Sequence, residues 1–364
     1  MIDKLRLDVQ HKLIKPSGED FELMVQTELD LSAGIIGIFG GSGQGKSTLL
    51  QICAGLTPSI GSVVSWDNDA SLKPSKEKAE LSPCVYQSQE VTLFEHLTVA
   101  QNLEFVIKHS NWSANNSKFS QLDVVDWCGI GGLLNQSSYS LSGGEKQRVG
   151  LARSLLSGKP VIILDEPFSA LDWQSRLMML QLIQRLNQEY GLAFILVSHS
   201  LRELAICCQY LINLEQGKMV QSGAINEVVQ ALSLASSEPV FARLTLEKPE
   251  VMAQYHLVRW QLPNSEQYIF IKNQTDHSSM HTVPKSHIVT VEADKVSLSL
   301  TPASSSSMLN QLTGKITKIQ PFQHLMLVHI DVQGQEILSL VSQLSYENLK
   351  LETGQNIFAQ FKAV

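Results

Sequence analysis

The run Gly40-Gly41-Ser42-Gly43-Gln44-Gly45-Lys46-Ser47-Thr48 contains the eight-residue spacing G-x-x-x-x-G-K-[ST], from Gly40 to Ser47. Glycines at these positions let a backbone wrap phosphate oxygens, a lysine pairs with their charge, and a hydroxyl at Ser47 can ligate a hard cation. A second chemical pair stands at Asp165-Glu166, where two carboxylates follow the apolar run Val161-Ile162-Ile163-Leu164. Leu141-Ser142-Gly143-Gly144-Glu145 opens a helix in which glycines bare backbone N–H groups at the positive end of the helix dipole, again suited to phosphate. Gln87, Asp172 and His199 are single polar residues that gain interest from these neighbours, because each follows or closes a predicted strand or turn. A lone histidine is more often structural, but His199 ends the apolar run Ala193-Phe194-Ile195-Leu196-Val197. The C-terminal ends of parallel strands are where α/β proteins gather their functional groups.

The elements that must hold these residues are legible as periodicity. Residues 5–9 and 21–29 alternate apolar and polar, which predicts an antiparallel hairpin. Gly34 turns the chain into a buried strand over 35–39, which runs straight into the glycine loop, and a helix follows from Lys46 to about Ala54. Strands are expected at 62–66, 84–86, 161–164, 193–197, 210–214 and 218–221, and helices at about 145–157, 175–190, 201–208 and 224–232. Residues 99–135 read as mostly helical with an exposed polar break at 111–117, and 68–80 as a polar lysine-containing loop. This alternation means α/β with a mostly parallel core sheet. From about Val240 the pattern changes to short alternating runs at 268–271, 288–291, 296–300, 314–319, 325–330 and 336–341, with a linker-like Thr301–Ser307, a short helix near 342–349 and a last strand at 356–362. That predicts a C-terminal β-barrel-like domain.

Length and charge limit the function classes. A chain of 364 residues supports two or three domains, and the net charge of −7 argues against nucleic acid as the main partner. No apolar run is long enough to span a bilayer, and the start lacks the basic-then-apolar plan of a signal peptide, so the cytosol is expected. The five cysteines, Cys53, Cys84, Cys128, Cys207 and Cys208, form no C-x-x-C pair and read as reduced core residues.

With the glycine loop, Gln87, the Leu141–Glu145 stretch, Asp165-Glu166, Ser169-Ala170-Leu171-Asp172 and His199 in this order, residues 1–235 resemble an ABC-type ATPase with a helical signature subdomain. The resemblance implies ATP and Mg²⁺ as cofactors and a head-to-tail homodimer that shares each nucleotide between the glycine loop of one copy and the signature stretch of the other. It implies that Gly40 to Thr48 hold phosphates, that Ser47, Gln87 and Asp165 serve Mg²⁺, and that Glu166 polarises water. His199 would hold the γ-phosphate region, Ser142, Gly143 and Gly144 would meet the opposite nucleotide, and Asp172 would lie at the dimer interface. Phe21 is the best candidate for the adenine-stacking aromatic.

Residues 236–300 read as a connecting β segment. The stretches 291–298, 307–316 and 358–364 resemble the OB-like molybdate-binding-protein type of domain, assigned to 301–364, that is found on molybdate importer ATPases. Leu309 and Lys362-Ala363 depart from that pattern. The domain is then either an oxyanion site drawing on Ser307, Lys315 and Lys362 or a surface for dimerisation and docking. The implied function is the ATP-hydrolysing subunit of a molybdate importer, peripheral on the cytoplasmic face of the inner membrane. Its implied partners are membrane permease subunits and, indirectly, a periplasmic solute-binding protein. An importer for sulfate, ferric iron, a sugar or a polyamine, or a non-transport ATPase acting on a soluble partner, remains the alternative.

Overall fold

The structure is a computed structural model that describes residues 2–14, 20–59, 61–66, 82–110, 119–235, 239–273, 286–303 and 306–364. The loop expected at 68–80 and the polar break at 111–117 lie outside the described residues. The chain forms two units, Met1–Val228 and Val229–Val364.

The first unit begins with β1 (Lys4–Ile14) and β2 (Asp20–Asp30), antiparallel from Lys4↔Asp30 to Ile14↔Asp20, as the alternation requires. Next come β3 (Ile36–Phe39), α1 (Lys46–Cys53), β4 (Val63–Trp66), β5 (Cys84–Gln87), α2 (Val99–His109), α3 (Gln121–Trp127) and α4 (Gly143–Leu156). The unit continues through β6 (Val161–Asp165), α5 (Trp173–Tyr190), β7 (Ala193–Val197), α6 (Leu201–Cys207), β8 (Tyr210–Glu215) and β9 (Lys218–Ala224) into α7 (Ile225–Ala235), within which the division between units falls. The nine strands form one sheet in the order β4-β1-β2-β9-β8-β3-β7-β6-β5.

Within that sheet β8, β3, β7, β6 and β5 are parallel, so their C-terminal ends share one edge. Every residue of β6 and β7 is buried, which explains their continuous apolar sequences. Leu49, Leu50 and Ile52 of α1 pack into the core with the hairpin residues Leu5, Leu7, Leu23 and Val25. Helices α2 and α3 pack on α4, forming the helical subdomain. Helix α4 starts at Gly143, two residues before the position read from sequence, because Ser142 and Glu145 close a reciprocal capping box around its first turn.

The second unit contains β10 (Phe241–Met252), β11 (Leu257–Gln261), β12 (Tyr268–Lys272), β13 (Ser286–Glu292), β14 (Ser297–Ser299), β15 (Asn310–Phe322), β16 (Leu325–Val332), β17 (Gln335–Ser342), α8 (Gln343–Leu349) and β18 (Asn356–Phe361). Its sheets run β12-β11-β10-β13 and β14-β18-β15-β16-β17. The second curls towards closure: Ser339 Oγ of β17 donates to Val296 O, immediately before β14, at 2.6 Å. The residues read as a connecting segment are not set apart. Leu244, Trp260 and Ile269 share one buried core with Leu312, Ile330 and Phe361, so 239–303 and 306–364 build a single unit.

Strand β10 was not legible as a strand over its length. Its first half alternates, but Pro249 and the shift in register between Glu247 and Glu250 break the pattern in its second half.

Candidate functional site

A cavity of about 480 Å³ opens at the C-terminal edge of the parallel strands, lined by the glycine loop from Ser42 to Thr48 with Phe21, Gln89, Glu166 and His199. The loop owes its shape to glycine. Gly40, Gly43 and Gly45 have φ of 154°, 76° and 92°, and a Cβ on Gly40 would lie 2.4 Å from Leu214 O. The Gln44 side chain accepts from the Gln216 backbone N–H, tying the loop to the turn between β8 and β9. Phe21 of β2 packs against Gly45, with ring carbons 3.1 Å from where a Cβ would stand.

Lys46 starts α1 and is buried, with 6% of its surface exposed. Its Nζ donates to Gly40 O at 2.7 Å and to Gly41 O at 2.8 Å, so the ammonium folds back on its own loop. Burial lowers the Lys46 pKa, and the nearby charges of Glu166 and Asp165 oppose that shift. The ammonium's two bonds are to neutral carbonyls, so an anion supplied there would meet a cation taken partly out of water.

The acidic pair divides its roles by geometry. Asp165 ends β6 and is buried, and it accepts from Tyr86 Oη on β5 at 2.9 Å through Oδ2. Glu166 leaves the strand with φ of 45°, an uncommon left-handed conformation for a residue with a Cβ. Its N–H donates to Val197 O at 3.1 Å, and the turn aims its carboxylate into the cavity. There Oε2 accepts from Gln89 Nε2 at 2.9 Å and stands 3.5 Å from His199 Nδ1. Adjacent parallel strands β6 and β7 thus deliver a carboxylate and an imidazole to one point.

The cavity does not gather every residue singled out in the sequence. Gln87 is buried outside it, with Nε2 3.5 Å from Gln147 O of α4 and, among the described residues, no hydrogen-bond partner for Oε1. Ser142, Gly143 and Gly144 line no part of the cavity. They cap α4, which lies so close to the loop after β6 that a Cβ on Gly144 would be 2.8 Å from Leu171 Cδ2. Asp172 caps α5 instead, accepting from Ser175 N at 3.0 Å and Ser175 Oγ at 2.7 Å. These hydrogen bonds hold its carboxyl below the usual aspartate range, the backbone bond from Ser175 first.

Sequence reading missed Gln89 and Tyr86. The available signal was their position at the end of β5, the strand beside β6, where polar side chains reach the site edge. In the second unit, Ser307, Lys315 and Lys362 are exposed, and the Lys362 carbonyl accepts from Asn310 Nδ2 at 3.0 Å.

Comparison with known proteins places these features in a family. Residues 26–169 match the model of the ABC transporter family, and residues 306–364 match that of the TOBE domain. The chain is 32% identical to a molybdenum import ATP-binding protein of Pseudomonas fluorescens, over 95% of this chain and 96% of that one. It is 34% identical to the molybdenum import ATP-binding protein of Pseudomonas savastanoi, over 94% and 95% of the two chains. The first unit has the fold of a dimeric ATP-binding cassette solved in a post-hydrolysis state with ADP and Pi, at a TM-score of 0.53 and 24% identity, over 61% of this chain and 98% of that one. A P-loop α/β cassette with a helical subdomain is thus joined to an OB-like C-terminal TOBE domain, and the chain belongs to the family of ATP-binding subunits of ABC transporters.

Proposed function

We infer that this chain is the ATP-hydrolysing subunit of a molybdate importer. The observation that carries the reading is the convergence of Lys46, Glu166 and His199 on one cavity whose floor is a phosphate-type glycine loop. The likeness to molybdenum import ATP-binding proteins along nearly the whole chain supports the choice of solute.

ATP occupies the cavity with its phosphates against the amides of Gly41 to Thr48 and its adenine near Phe21. Lys46 exchanges the Gly40 and Gly41 carbonyls for phosphate oxygens, which satisfies an ammonium that the fold has partly desolvated. Ser47 and Asp165 are hard oxygen donors of the kind Mg²⁺ takes. The Tyr86 hydroxyl donates to Oδ2 of Asp165, and Mg²⁺ needs few protein ligands beside phosphate and water. When bound, Mg²⁺ neutralises charge on the phosphates. Gln87, at the end of β5, keeps an Oε1 unpaired among the described residues, with which it would serve Mg²⁺.

Glu166 orients and polarises the attacking water, and His199 and Gln89 hold its carboxylate from two sides. Phosphoryl transfer to water is accelerated mainly by positioning and charge stabilisation, so a carboxylate set between an amide and an imidazole is an appropriate catalyst.

Two copies pair head to tail. Ser142, Gly143 and Gly144 then serve the nucleotide of the opposite copy, and Asp172 lies at the junction. The dimer acts on the cytoplasmic face of the inner membrane beneath a permease pair, supplied by a periplasmic solute-binding protein. Uptake into vesicles holding this chain and its cognate permease tests the assignment. ATP-dependent accumulation of molybdate in preference to sulfate is expected, and preference for sulfate or for a cationic solute overturns the choice of solute.

A further inference from the structure

A second polar cluster in the first unit stands behind the wall that carries Glu166 and His199. Arg176 of α5 donates through Nη1 to Glu203 Oε1 of α6 at 2.6 Å. Through Nη2 it donates to Leu171 O at 2.9 Å and Ser169 O at 3.3 Å. One guanidinium therefore grips both the start of α6 and the loop that leads from Glu166 to Asp172. The other Glu203 oxygen, Oε2, accepts from Ser198 Oγ at 2.7 Å, and Ser198 Oγ accepts from Ser200 N at 3.0 Å. Ser198 and Ser200 flank His199.

This cluster is unusual in cost and in reach. Glu203 and Ser198 are 7% and 2% exposed, so a carboxylate has been taken out of water. A buried ion pair generally does no better for stability than a well-packed apolar pair, because desolvation offsets the attraction. An apolar pair could not bond two carbonyls, a hydroxyl and a carboxylate at once. Only the planar fork of arginine meets several fixed acceptors together, which lysine cannot copy. The same loop is held from its other side by Gln147 of α4, whose Nε2 donates to Ser169 Oγ at 3.1 Å and whose Oε1 accepts from Ala170 N at 3.0 Å.

The geometry points to Arg176 and Glu203 as positioning residues for ATP hydrolysis: the pair locks the loop ending in Asp172 to the loop carrying His199, and so sets where His199 stands against Glu166. This rests on the reading of Glu166 and His199 as hydrolytic groups. Among the described residues, His199 has a 3.5 Å approach to Glu166 and no shorter polar contact to fix its ring, and most of its side chain is exposed. Its placement must then come from the backbone on either side, which Ser198 supplies through Glu203. Movement of the Asp172 loop reaches His199 by the same bonds.

The test is steady-state hydrolysis of Mg²⁺-ATP by the full chain, with ATP binding and thermal unfolding measured on the same samples. Ser198→Ala leaves the ion pair in place and cuts its link to the His199 loop, while Arg176→Lys keeps the charge and loses the fork. Each is expected to lower kcat about tenfold with KM and ATP affinity unchanged, as small displacements of reacting groups do. The double variant should fall no further than the worse single one, because both cut the same chain of bonds. Wild-type kcat in Ser198→Ala, with Glu166→Gln inactive in the same assay, overturns the proposal. So does a loss of kcat in both variants that only follows the fraction of unfolded protein. Wild-type turnover in Glu166→Gln overturns the hydrolytic reading itself, and this inference with it.

Discussion

Two sets of buried polar residues, one from each unit, serve different ends. Among the described residues of the first, Lys46 folds onto its own loop, Asp165 holds a tyrosine, and Gln87 keeps an acceptor with no partner. In the second, Asn310 joins strands by bonding the Phe270 N–H, the Phe270 carbonyl and the Lys362 carbonyl, and Ser339 closes the curl onto Val296. The first set keeps bonding capacity at strand ends, and the second is satisfied by the backbone around it. The difference teaches where chemistry is to be sought: polar groups left with capacity at strand ends mark a site, and polar groups saturated within a sheet mark architecture.

Substitutions that strike one unit and spare the other can break this contrast. The largest stability effect is expected from Trp260→Ala. Trp260 is buried in the core of the second unit and stacks on His287 with ring centres 5.2 Å apart. Its loss should cost about 3–5 kcal/mol by denaturant unfolding of that unit. ATP affinity should be unchanged, since Phe21 to His199 supply the cavity. A parallel loss of ATP affinity would mean that the two units are not separable in function.

A smaller effect sharpens the contrast inside the first unit. Ser142→Ala removes the cap of α4 and should cost about 1 kcal/mol near neutral pH. The Ser142 hydroxyl, then its backbone N–H, holds the Glu145 carboxyl below its ordinary value of 4.5. A carboxylate with a lowered folded pKa contributes stability that is present above 4.5 and lost as pH falls through the folded value. The difference between wild type and Ser142→Ala in thermal unfolding should therefore shrink in acid, and a constant difference from pH 7 to 3 would remove Glu145 from the cap.

The first unit was legible because its chemistry demands residue types at fixed offsets. Gly40 to Ser47, the Asp165-Glu166 turn and the end of β7 could each be read without any three-dimensional information. Contacts between loops were not legible. Gln89 reaches Glu166 across 77 residues, and Arg176 reaches Glu203 across 27, so neither partner leaves a local pattern. Gln87 was readable as a polar residue after a strand, but not its burial beneath α4, which depends on how closely that helix packs at Gly150. In the second unit alternation revealed β12, β13 and β16 well. It failed for β11, where only Val258 and Trp260 are buried, and in β10 where Pro249 and the bulge interrupt it.

On the function proposed for this chain, Glu166 polarises the water that attacks bound ATP, in a site completed by a second copy. Glu166→Gln preserves shape and removes the carboxylate charge. Turnover and molecular mass should be measured on one sample of this variant with saturating Mg²⁺-ATP. ATP should stay bound, turnover should fall by about 10²–10⁴, and a stable dimer should accumulate in place of the monomer. Turnover at the wild-type rate, or ATP bound by a chain that stays monomeric, would contradict it.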